Sequence, residues 1–149
     1  MPEKPTYEEL TQKNNKLEKE VSKLKHIKDC NEQYQELLDV SHVVIYKCKP
    51  YGKFSTTFIT ENIIRQMGYK PVDFTSNPEF WSKHIHKDDR PQVFTNFANL
   101  LEKESLKHEY RFLHSNGLYY WIHDELKLIR DKDGNPTDII GNCYRSEYP

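Results

Sequence analysis

The chain has 149 residues, of which 36% are hydrophobic and 30% charged, and its net charge is −1. At roughly 150 residues per domain this is one globular unit, or a smaller one with an appendage, and not a multidomain enzyme. The balanced charge excludes a nucleic acid or an anionic membrane held by charge, no apolar run is long enough for a membrane span or a signal-peptide core, and three scattered cysteines (Cys30, Cys48, Cys143) make no disulfide framework. The expected setting is cytoplasmic, with all three thiols reduced.

Residues 1–41 carry two of the nineteen aromatic residues and no glycine, whereas residues 42–149 carry the other seventeen and all five glycines. The composition therefore divides the chain near Ser41 into an amino-terminal helix, 1–41, and a compact domain, 42–149. In the first part apolar positions step by threes and fours. Leu10, Leu17 and Leu24 fall at d, and Tyr7, Asn14 and Val21 at a, of a heptad. In a parallel dimer the g-to-e pairs are Lys13 with Glu18 and Glu20 with Lys25, both of opposite sign, and Asn14 at a favours two strands in fixed alignment. The frame breaks after Leu24, where Lys28 and Gln35 would occupy a, and resumes through Ile27, Tyr34 and Leu38. The alternative is one amphipathic helix folded back on its own domain. A helix from Tyr7 to Ser41 would be roughly 50 Å long, too long to lie wholly on so small a domain.

Past Ser41, Val43–Lys49 and Phe54–Thr60 read as a hairpin around Pro50-Tyr51-Gly52. Glu61–Met67 reads as a short helix closed by Gly68, and Asn77-Pro78 precedes another that carries Phe80, Trp81 and Ile85. Asp88 can cap a longer helix with Val93, Phe94, Phe97, Leu100 and Leu101 at helical spacing. Three strands follow, Leu106–His114, Leu118–Ile129 and Ile139–Tyr144, separated by Asn116-Gly117 and Asp133-Gly134. The class is α+β. Alternation turns Tyr110, Phe112, Tyr120, Ile122, Leu126 and Leu128 toward the helices, and Glu109, Arg111, Tyr119, Trp121, His123 and Lys127 away from them.

This order and its residues resemble the PAS family, in the subclass whose last three strands carry the PAC motif. The matching stretches are Ile59-Thr60-Glu61-Asn62-Ile63 through Met67-Gly68-Tyr69, Trp81 to Arg90, Glu109-Tyr110-Arg111-Phe112 with Asn116-Gly117 and Tyr120-Trp121-Ile122, and Arg130 to Gly134 with Ile140-Gly141. The resemblance implies a five-stranded antiparallel sheet with its helices on one face, preceded here by the long coiled-coil helix. It also implies a small-molecule cavity between sheet and helices, for which the inward set nominates Tyr46, Cys48, Met67, Phe94, Phe97, Tyr110, Phe112, Tyr120, Ile122 and Cys143. In the family the last strand usually runs into Asp-Ile-Thr and a signalling helix. Arg145-Ser146-Glu147 stands in that place here, which puts output through the carboxyl end in doubt.

Other chemistry finds little support. Cys143 lies in an Asn-Cys-Tyr-Arg run that superficially matches the flavin-attachment motif of light-sensing members, but on the last strand instead of a central helix. His84 and His86 are the candidates for a haem ligand, and with Asp88 and Asp89 for a metal, yet His86 fits the family's His-x-Asp-Asp pattern and the aspartates read as caps. No nucleophile–base pair or phosphate loop has a local signature, so no catalytic residue is assigned. The expected role is a PAS-type sensory and dimerisation module of a prokaryotic signalling protein, the regulatory part of a sensor histidine kinase, with no required cofactor and with an output domain or signalling protein as partner. A ligand-free dimerisation scaffold, a haem or flavin redox sensor and the regulatory domain of a diguanylate cyclase are the alternatives. Leu10, Asn14, Leu17, Val21 and Leu24, with outward Tyr119 and Trp121, form the expected interface. On this reading Trp121→Ala loosens association, and Tyr120→Ala opens a core cavity.

Overall fold

The computed structural model describes residues 2–146. By contacts it divides into two units, Met1–Leu37 and Leu38–Pro149.

The first unit is most of α1 (Tyr7–Val40), in which no residue is buried. The helix starts on a reciprocal cap that the apolar spacing alone did not reveal. Thr6 Oγ1 accepts from the Glu9 amide at 3.2 Å, and the Glu9 carboxylate accepts from the Thr6 amide at 2.8 Å. Leu10, Leu17, Val21 and Leu24 are 50, 49, 49 and 65% exposed, so the heptad seam lies open along the helix. An isolated helix with so polar a composition gains little from its own side chains.

In the second unit β1 (Val44–Cys48), β2 (Thr56–Ile59), β3 (Ser105–Leu113), β4 (Tyr119–Arg130) and β5 (Pro136–Arg145) form one antiparallel sheet in the order β2-β1-β5-β4-β3. Between β2 and β3 lie α2 (Ile63–Met67), α3 (Pro71–Ser76), α4 (Phe80–His84) and α5 (Arg90–Lys103). Val44, Tyr46, Cys48, Tyr110, Phe112, Ile122, Leu126, Leu128 and Ile139 form one buried cluster with Ile63, Met67, Phe74, Val93, Phe97 and Leu100. That cluster places the helices on the face to which these strand residues point.

The unit begins with the last turn of α1, a few residues before the compositional boundary at Ser41, and the reason is a side chain. Buried Asn62 donates to the carbonyls of Val43, Leu38 and Ser41 at 2.7, 3.2 and 3.3 Å, and Arg65 donates to those of Asp39 and Ser41. Gly68 closes α2 in the left-handed region, φ 79°, as its position after Met67 suggests. α3 has no counterpart in the sequence reading, because six residues are too few to show a helical period. Ile85 lies beyond α4, in an isolated bridge with Phe112.

Gly141 is required by packing. It faces Tyr46 across β1 and β5, and a Cβ there would overlap the Tyr46 ring. Gly141→Ala is therefore expected to cost about 1–3 kcal/mol, read as a lowered urea midpoint, because the ring it displaces is buried.

The cap of α5 differs from the expectation. Asp89, not Asp88, is the N-cap residue, and its side chain makes no cap hydrogen bond. Arg111 on β3 takes it instead, donating from its backbone N and from Nε at 2.9 Å and from Nη2 at 2.8 Å. Hydrogen bonding from Arg111 holds the Asp89 carboxyl below its ordinary range, against the opposing effect of burial. A depressed acid stabilises fully above its unfolded value of about 3.9 and loses that contribution as pH falls through the lower folded value. Urea midpoints from about pH 6 to about pH 3 should thus show Asp89→Asn losing less stability on acidification than the natural chain. Parallel pH curves would contradict that role.

Candidate functional site

A cavity of about 40 Å³ lies between sheet and helices, lined by Tyr46, Cys48, Phe54, Thr56, Ile59, Ile63, Met67, Phe74, Trp81, Phe97, Tyr110, Phe112, Ile122 and Cys143. The fold brings these together from β1, β2, β3, β4, β5, the turn before β2 and all four short helices. Phe54 closes one side in the left-handed region, φ 52°, a conformation that costs a bulky residue energy. Its ring packs on Phe97 at 5.0 Å and Phe94 at 6.0 Å, which holds it there.

Two nominated residues lie elsewhere. Phe94 packs behind Phe54 and Trp81 without lining the cavity. Tyr120 has the inward parity but sits at the start of β4, half-buried beyond the cavity. Arg145 lies over its ring at 4.2 Å, His114 packs on it at 5.2 Å, and Asn116 donates to its hydroxyl at 3.1 Å. Tyr120→Ala therefore removes a partly exposed stack instead of opening the core.

One wall of the cavity is polar, and its organising residue escaped the sequence reading. Asp124 is 0% exposed on the inward face of β4. The Tyr46 hydroxyl donates to its carboxylate, lying 2.8 and 2.9 Å from the two oxygens, and the Tyr110 hydroxyl donates at 3.1 Å while accepting from Trp81 Nε1 at 3.2 Å. His108 stands directly opposite on β3, with Nε2 3.5 Å from Asp124 Oδ2 and Nδ1 3.1 Å from the Asn96 side-chain nitrogen. Where that amide donates, Nε2 carries the proton on the side of Asp124, yet Nε2 is buried without a hydrogen-bond partner. Parity alone marks both residues: His108 shares the inward register of Tyr110, and Asp124 that of Ile122.

Burial, and next the Asp124 charge, push the Tyr46 and Tyr110 phenols well above their ordinary value. The same two causes raise the Cys48 and Cys143 thiols. Both thiols are free and stand as neutral, unreactive lining.

The histidines considered for haem or metal turn elsewhere. His84 Nδ1 lies 2.6 Å from the Phe80 carbonyl and its ring stacks on Phe80 at 4.0 Å, while His86 accepts from the Asp88 amide at 3.2 Å. Among the described residues no histidine lines the cavity, and its volume holds a few atoms, so the residues present do not fit a haem or a flavin ring. Leu10, Asn14, Leu17, Val21 and Leu24 lie exposed on α1. On the outer face of the sheet Tyr119 is exposed and packs on His86 at 4.7 Å, while Trp121 is half-buried with the Arg111 guanidinium 5.5 Å from its ring centroid.

A family model described as PAS fold matches residues 56–143, more than half of the chain, and the chain belongs to that family. It is similar to the two-component sensor PprA of Pseudomonas aeruginosa, 28% identical over 109 residues that cover 72% of this chain and 12% of that protein. It is also similar to the methyl sulfide methyltransferase-associated sensor of Methanosarcina acetivorans, 25% identical over 119 residues, or 78% and 11% of the two chains. The chain thus spans about a tenth of the length of these relatives. Among solved structures, the amino-terminal domain of a diguanylate cyclase with PAS/PAC sensor from Marinobacter aquaeolei matches with a TM-score of 0.61 at 23% identity, covering 69% of this chain and 94% of that one. The chain is therefore a PAS domain homologous to those of sensor proteins, a sensory class of module and not itself a catalytic one. No helix among the described residues is long and apolar enough to cross a membrane.

Proposed function

We propose that this chain is the sensory and dimerisation module of a cytoplasmic prokaryotic signal-transduction protein, the regulatory part of a sensor histidine kinase. The observation that carries the sensory half is the cavity. It has thirteen of its walls' fourteen residues from apolar, aromatic or thiol side chains, with one buried carboxylate organising the two phenols among them. A concave apolar wall with a few placed polar groups is the usual form of a small-molecule site. In the proposed mechanism an occupant changes the packing of Tyr46, Phe97 and Ile122, the sheet carries that change, and two arrangements of the α1 dimer differ in population. Native mass spectrometry of the purified chain tests this half. A co-purified small molecule lost on denaturation supports it, and bare protein from every expression host would favour the ligand-free scaffold.

The dimer half rests on the exposed seam. Four large apolar side chains at heptad spacing, Leu10, Leu17, Val21 and Leu24, lie exposed along α1. Tyr119 and Trp121 on the sheet provide a second contact. Deleting residues 1–26 is expected to move sedimentation toward the monomer while the amide spectrum of the sheet persists. An unchanged dimer would assign the assembly to the sheet face instead.

A further inference from the structure

We propose that the cavity selects a small uncharged molecule that donates a hydrogen bond, a short aliphatic alcohol being the simplest member of the class, with its hydroxyl on Tyr46 Oη. This rests on the sensory reading above and names the occupant's chemistry.

Hydrogens and charges on the cavity wall set the class of occupant. A phenol has one hydrogen to give, and both cavity phenols give theirs to Asp124. The Tyr110 oxygen already accepts from Trp81 Nε1, and that interaction uses the indole's only donor. Tyr46 lines the cavity, and among the described residues no hydrogen bond is donated to its oxygen. Apart from the half-buried Thr56 hydroxyl, the lining offers an occupant one good acceptor and only weak thiol donors. An occupant that binds Tyr46 Oη must therefore bring the hydrogen.

Its charge follows from the same wall. Among the described residues no lysine, arginine or histidine lines the cavity, and the Asp124 carboxylate stands behind the two phenols. A carboxylate or phosphate ligand would be desolvated beside a like charge with no cation to compensate it. An ammonium would bring three N–H donors to a wall whose side-chain acceptors are the Tyr46 and Thr56 oxygens, leaving at least one donor unmet and the charge desolvated. A volume of about 40 Å³ has room for about three water-sized groups, which limits the occupant to a few heavy atoms. A neutral molecule with a short apolar tail, set against Met67, Phe97 and Ile122, satisfies every wall.

The test compares 1-propanol, acetate and propylammonium, isosteres of four heavy atoms each, with xenon as an apolar filler, by methyl NMR of the full chain. The expected result is saturable movement of the Met67 and Ile122 methyls by 1-propanol and xenon, and none by the two ions at equal concentration. Tyr46→Phe should weaken 1-propanol about five- to tenfold while xenon binds as before. Either ion binding as well as 1-propanol overturns the proposal, as does equal propanol affinity in Tyr46→Phe. The isosteres on the natural chain decide the matter even where that variant does not fold. Xenon binding without 1-propanol sinks the proposed class and leaves the cavity reading intact, whereas failure of both sinks the cavity reading as well.

Discussion

Asp124→Ala is expected to lower the stability of the domain by about 3–5 kcal/mol, far more than loss of a surface carboxylate would. Truncation strands two buried polar groups at once, the Tyr46 and Tyr110 hydroxyls, and takes away the carboxylate that faces the already unpaired His108 Nε2, in a region where water does not reach them. Each unmet group carries its own desolvation cost of about 1–3 kcal/mol, and relaxation recovers part of the sum. For a domain of this size about 1 kcal/mol corresponds to about 4–8 °C, so the thermal midpoint should fall by more than about 12 °C. Asp124→Asn keeps the shape and one acceptor oxygen, and should lose distinctly less. An Asp124→Ala midpoint within about 2 °C of the natural chain would show that the carboxylate does not hold the wall together.

Phe97→Ala is expected to cost a similar amount, about 3–5 kcal/mol. The ring is 2% exposed and meets Phe54 at 5.0 Å, Trp81 at 4.8 Å and His108 at 5.8 Å. Its removal enlarges the cavity and withdraws the support that keeps Phe54 in its left-handed conformation. The enlarged, apolar space should then accept benzene, which at saturation raises the melting temperature of Phe97→Ala and leaves that of the natural chain unchanged. Stability loss without benzene rescue would mean that the core collapses on the gap.

The long strands were legible because alternation is a rigid consequence of the pleat. Leu126 and Leu128 are buried, and Lys127 and Glu109 are exposed, as parity assigns them. Parity fixes a face and says nothing of position along the strand, which is why Tyr120 faces the helices' side and still misses the cavity. A helix-face count likewise could not separate Phe97, which lines the space, from Phe94, one layer behind. The polar wall has no hydrophobic signal: His108 and Asp124 occupy inward positions opposite one another in the β3–β4 register, and only parity, not hydrophobicity, marks them. Asp89 was legible as a helix-entry residue, but its partner Arg111 lies 22 residues on and no local pattern connects them. α3 is too short for a period, and its Pro71 start is the one trace it leaves.

Filling the cavity is expected to be felt at the α1 seam. The most direct measurement is sedimentation equilibrium of the full chain, with and without 1-propanol at a concentration that saturates the Met67 and Ile122 methyl shifts. The dimer dissociation constant is expected to change by at least about fivefold, the lower end of ordinary allosteric coupling. Identical constants in the filled and empty states would contradict that coupling, because a ligand that does not distinguish the two assemblies cannot be sensed through them.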